Sequence, residues 1–143
     1  MSVAEPVDDD GFTVYLPPPG LRVDLRTFDD ALDFVLLLQP RDEAVVALLD
    51  DLRHVLLVVE THPRHLPEVA PMAQRIDGVA AAVVFTAHPV CEVPSEDALM
   101  GWQRLRARFD TWGLALVDWL HVDDELVRSL AETSGLADPW SIW

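Results

Sequence analysis

The feature that most constrains this chain is the unbroken apolar run Val79–Phe85. It is far shorter than the ~18 residues of a membrane span. It has no polar face, so it predicts a strand buried on both sides. Such a strand needs sheet neighbours beside it and covering helices above and below, and the flanking sequence offers both.

Upstream, Ala44–Leu49 and His54–Val59 are two further apolar runs split by Asp50–Asp51, which reads as a hairpin. Phe12–Leu16 alternates and fits a short strand ended by Pro17–Pro18–Pro19–Gly20. Thr27 is placed to cap a helix carrying Phe28, Leu32, Val35 and Leu36 at helical spacing, closed by Pro40. Pro67–Ile76 predicts a second helix with Gly78 at its C′ position, although Pro71 suggests a later start. Ser95 caps a third helix from Glu96 to about Trp112, with Leu99, Trp102, Leu105, Arg106 and Phe109 on one stripe and Gly113 at its end. Leu114–Val122 is another strand, followed by a turn at Asp123–Asp124 and a last strand or helix start over Leu126–Leu130. The expected fold class is α/β (α+β), a mixed β-sheet flanked by helices.

With 143 residues the chain is sized for one domain. We expect an acidic flexible tail over 1–11, the domain over 12–134, and a Trp-containing tail over 135–143. Residues Met1–Asp10 carry no basic group and no apolar core, so no secretory signal is expected. The lone Cys91 excludes an internal disulfide and suits a reducing cytoplasm.

The formal charge is −15, from 25 acidic and 10 basic groups, and every basic group is an arginine. So acidic a chain repels phosphate backbones, and Arg104, Arg106 and Arg108 form its only basic cluster. Nucleic acid and membrane are therefore not expected partners. A protein partner is, and self-association is compatible with the sequence. Arg104 and Arg108, four apart on one helix face, are expected to pair with acids.

The stretch richest in chemistry is Val83–Asp97, VVFTAHPVCEVPSED. A buried strand runs into a His-Pro loop, and a Pro-Ser pair opens a helix with acidic residues in its first turn. This resembles the JAB/MPN metalloprotease-like domain, and most closely its RadC-like branch, where a strand ends in H-x-H-P-S-G and P-S-x-x-D opens the next helix. Glu43–Asp50, EAVVALLD, resembles that family's glutamate-led strand. Leu114–Ser129, LALVDWLHVDDELVRS, resembles its later L-L-D-H-x-I-V-x-D segment and the serine beyond. Together these segments span about residues 28 to 132.

The resemblance implies a JAB/MPN-like sandwich. In catalytic members two histidines and an aspartate hold zinc, a glutamate acts as general base, and a serine supports the oxyanion. Carried over, Glu43 takes the vestigial base position, Ser95 the vestigial oxyanion support, and His88 the second histidine. The first histidine position is Thr86, a poor zinc donor. The spacing from His88 to Asp97 is shorter than the family pattern. Aligned on Ser95, the ligand position becomes Ala98, and Asp97 lies about 200° around the helix from Ser95. No cofactor is therefore expected.

A re-wired zinc site of His88, Cys91 and Asp97 with Glu43 as base is the alternative, because a thiolate is a strong zinc donor. His62 and His65 have ligand spacing but sit in a polar loop. Asp118 is expected to be a buried, hydrogen-bonded carboxylate. Trp140 and Trp143 are expected either to fold back over the core or to anchor a partner interface.

Three functions follow. The first is a degenerate, non-catalytic RadC-like domain acting through protein contacts. The second is a zinc-dependent peptidase or isopeptidase with re-wired ligands. The third is an acidic inhibitor-like binder of a basic partner.

Overall fold

The computed structural model describes residues 4–6, 12–15, 23–38, 43–87, 95–123, 127–135 and 140. It is a mixed α/β structure built, among the described residues, on a seven-stranded sheet whose strands lie in the order Ala4–Pro6 (β1), Thr13–Tyr15 (β2), Val55–Thr61 (β4), Ala44–Leu49 (β3), Ala81–Ala87 (β5), Ala115–Val122 (β6) and Val127–Ser129 (β7). The hairpin forms as expected from Ala44–Leu49 (β3) and Val55–Thr61 (β4). Beside β3 runs Ala81–Ala87 (β5), antiparallel to it. Ala115–Val122 (β6) is parallel to β5, and helix Glu96–Thr111 (α3) lies between the two in sequence. Thr13–Tyr15 (β2) and Val127–Ser129 (β7) extend the sheet on its two sides.

The central strands show why the apolar runs lack a polar face. On β3, Val46 and Leu48 enter one core while Val45, Ala47 and Leu49 enter the other. The first core is closed by Leu66–Gln74 (α2), α3 and the short helix Leu130–Thr133 (α4), through Val69, Trp102, Phe109 and Leu130. The second is closed by Phe28–Leu38 (α1), whose Phe34 ring lies 5.8 Å from Phe85. Six of the seven residues of β5 are buried.

Local chemistry sets the helix boundaries. Thr27 Oγ1 accepts from the Asp30 amide at 3.1 Å, and Asp30 Oδ2 accepts in return from the Thr27 amide at 3.2 Å, a reciprocal cap. Ser95 Oγ accepts from the Ala98 amide at 3.1 Å and starts α3. Gly113, at φ +75°, ends α3 in the left-handed region that a side chain disfavours.

Three expectations are corrected. Residues Ala4–Pro6 are not a free tail but an edge strand (β1), paired antiparallel with β2. Gly78, at φ +89°, is not the C′ residue of α2, whose C-cap is Arg75, but lies in the turn before β5. Pro71 does not begin α2; it lies inside it. A proline there has no N–H for the carbonyl four residues back. That carbonyl, of Pro67, instead accepts from Arg108 Nε of α3 at 3.3 Å. The last strand or helix start expected over Leu126–Leu130 is present as both, because β7 runs straight into α4 at Leu130. There Ser129 caps α4 by accepting from the Glu132 amide at 3.0 Å.

Candidate functional site

Antiparallel pairing of β3 with β5 sets Val45 opposite Phe85, so Glu43, just before β3, lies at the end of the sheet where β5 finishes. Parallel pairing brings His121 of β6 beside Thr86 at the same end. His88 and Cys91 follow β5 and lie outside the described residues, as does Trp143. The topology thus gathers Glu43, Thr86 and His121, residues that are scattered in sequence.

Two of the side chains at this corner, Thr86 and His121, are committed to packing and hydrogen bonding. Thr86 is 8% exposed, and its hydroxyl accepts from the Trp119 indole N–H at 2.8 Å. The buried His121 ring meets the Trp119 ring edge-on, at 6.3 Å and 84°. Ser95 spends its hydroxyl on the helix cap, and Asp97 is exposed in the first turn of α3. There it complements the positive helix end.

Zinc requires three or more N, S or anionic O donors within about 2.0–2.3 Å. No three His, Cys, Asp or Glu side chains come together among the described residues. Thr86 is a neutral hydroxyl already engaged by an indole. The described donors therefore do not fit the metal. His62 precedes and His65 ends a 3₁₀ turn (Pro63–His65), where His62 Nδ1 accepts from the Arg64 amide at 3.2 Å, a capping role.

The most developed polar constellation lies elsewhere, at Asp118. In the β5–β6 pairing Ala82 faces Leu116 and Val83 faces Asp118, which leaves Val117 as the extra residue of a bulge. The bulge places the Asp118 carboxyl inside the protein, at 0% exposure. Oδ2 accepts from the Ser129 hydroxyl at 2.5 Å and the Trp140 indole at 3.0 Å. Oδ1 accepts from the Trp119 amide at 2.7 Å and the Ala131 amide at 3.1 Å. Burial pushes this carboxyl above its ordinary value, and the hydrogen bonds from Ser129, Ala131, Trp140 and Trp119 offset part of the rise.

The expected role of Asp118 is therefore met, while the interface role considered for Trp140 is not. Trp140 is 7% exposed, packs in the α1-side core and is tied to Asp118, so it covers this domain's own apolar surface.

Arg104 and Arg108 also depart from expectation. Neither pairs with an acid among the described residues; Arg108 donates to the Pro67 carbonyl, and Arg104 faces a cleft. Sequence reasoning missed that Arg64, 40 residues before Arg104, joins them there.

No helix among the described residues is long and apolar enough to cross a membrane. No family model matches the chain, and no curated protein matches it significantly.

Proposed function

We propose that this chain is a degenerate, metal-independent JAB/MPN-like domain of the RadC-like type that acts through contacts with a protein partner. The observation that carries this reading is the Thr86–Trp119 hydrogen bond at 2.8 Å. It fills the position of the first metal ligand with a buried neutral hydroxyl whose partner is an indole. The capping role of Ser95 supports it further, because that hydroxyl is turned to the Ala98 amide. A charge of −15 favours a partner with a basic surface.

One observation favours the hydrolase reading instead. Glu43, half-buried, lies at the sheet end from which residue 88 emerges, as a general base beside a His88–Cys91–Asp97 site requires.

Native mass spectrometry after incubation with zinc and removal of loose ions separates the two. The expected result is no retained zinc and no cleavage of peptide or isopeptide substrates. One zinc per chain, lost in both His88→Ala and Cys91→Ser, would overturn the metal-independent reading.

A further inference from the structure

A cavity of about 510 Å³ opens between the start of α2 and the middle of α3, with Trp119 of β6 at its base. That volume lies within the range of small-molecule sites, roughly 300–1,000 Å³. Gly101, Arg104, Leu105 and Arg108 line one wall from a single face of α3, being spaced by three, four and seven residues. Arg64 lines it from the opposite wall.

Three of the chain's ten arginines therefore line one cleft in a protein of net charge −15. None of the three is paired with a carboxylate among the described residues. Arg108 is oriented by the Pro67 carbonyl at 3.3 Å, and Arg64 Nε by the His65 ring at 3.3 Å. Arg104 makes no hydrogen bond or ion pair among the described residues. The guanidinium group of an arginine that lines a cleft can offer forked donors to an oxyanion there.

Gly101 is a second, independent observation. Glycine is disfavoured in a helix interior, and Gly101 lies well inside α3. Packing does not demand it, since a Cβ there would meet nothing closer than the Trp119 ring at 4.0 Å. What the missing side chain does is leave the Trp119 ring open to the cavity. Local disagreement of this kind between sequence preference and structure marks functional positions.

We propose that this cleft binds a small organic anion. An aromatic or branched aliphatic body rests on Trp119 and Leu105, and a carboxylate or phosphate head is held by Arg64, Arg104 and Arg108. A polyanion is disfavoured by the acidic remainder of the surface, whose repulsion of a small anion is screened within about 8 Å at physiological salt. An extended peptide is disfavoured as well, because helices wall the cleft and no sheet edge is offered to it.

The test uses the full chain with 1-naphthoate, 1-naphthyl phosphate and the neutral 1-naphthamide, by calorimetric titration at physiological salt. At least one of the two anions is expected to bind about tenfold or more tightly than the amide, and the tighter of them identifies the head group. Arg104→Gln, at an exposed position, should weaken that anion by about tenfold and leave the amide unchanged. Gly101→Leu should raise the melting temperature, through helix propensity, while abolishing binding by filling the cavity. Absence of binding by both anions, equal binding of the amide, or full binding by the folded Arg104→Gln or Gly101→Leu variant overturns the proposal.

Discussion

Replacing Asp118 by asparagine keeps the shape of the side chain and changes only what its two ends offer. The wild-type carboxylate accepts four hydrogen bonds, two on each oxygen. Asparagine has one accepting oxygen and one donating amine. With its oxygen toward the Trp119 and Ala131 amides, the amine faces the Ser129 hydroxyl and the Trp140 indole. The serine hydroxyl can turn and accept, but the indole N–H only donates. One buried donor is orphaned, at a cost of about 1–3 kcal/mol. The flipped orientation orphans two backbone amides and costs more.

At roughly 2–4 °C per kcal/mol for a chain of this size, Asp118→Asn should lower Tm by roughly 2–12 °C. Trp140→Phe removes the orphan, so its own cost should be smaller in the asparagine background than in the wild type by about 1–2 kcal/mol. The pH dependence has a definite sign. Burial holds the folded-state pKa of Asp118 above the ordinary 3.8, so its ionisation opposes folding. Wild-type stability from this group is full below the unfolded value and falls as pH rises through the folded one. Asparagine does not titrate, so the penalty of Asp118→Asn is greatest in acid and shrinks as pH rises. Thermal melts of wild type, both single variants and the double variant, followed by circular dichroism from about pH 4 to pH 8, measure all of this. A penalty that grows with pH, or a Trp140→Phe cost equal in both backgrounds, would refute the reasoning.

Three further outcomes are expected. Asp50 accepts from the Leu52 amide at 2.9 Å, the His54 amide at 2.8 Å and His54 Nδ1 at 3.2 Å, so Asp50→Ala should cost about 1–3 kcal/mol in urea unfolding. Burial alone would push the Asp50 carboxyl up, but those hydrogen bonds and the His54 charge together hold it below 3.8. Its contribution is therefore present above the ordinary value and lost as pH falls through the folded one, and the gap to Asp50→Ala closes in acid. Ser95→Ala should cost about 1 kcal/mol, with Ser95→Asp close to neutral, as a cap requires and an oxyanion role does not. Thr86→Val should cost about 1–3 kcal/mol by orphaning the Trp119 indole, and Trp119→Phe in that background should cost less than it does alone, read from the four melting curves of the cycle.

Much of the architecture was legible because it rests on local physics. The run Val79–Phe85 has no polar side, and no one-sided sheet would accommodate it. Thr27, Ser95 and Gly113 mark helix ends through hydrogen bonds and backbone preferences that span only a few residues. Thr86, by its chemistry, already read as a poor zinc donor. The sequence could not say that an indole, 33 residues further on, occupies that hydroxyl.

The features that sequence alone left open depend on groups brought together from afar. An acidic first ten residues reads as a tail until Ala4–Pro6 finds β2 and forms an edge strand. Pro71 reads as a helix start because the donor that replaces its missing partner belongs to Arg108 in another helix. Trp140 could have served a partner or its own core. The Asp118 carboxylate, buried by a bulge in β6, decides for the core.

By itself, the sequence determined the mixed α/β class, the caps of α1 and α3 and the apolar strands, because each follows from side chains within a turn or a strand of one another. Only the tertiary structure decided the pairing of Asp118 with Trp140 and the placing of Arg64, Arg104 and Arg108 around the cleft that Trp119 lines. Those arrangements join residues with no local reason to meet, and the folding of the sheet and its helices alone brings them within reach.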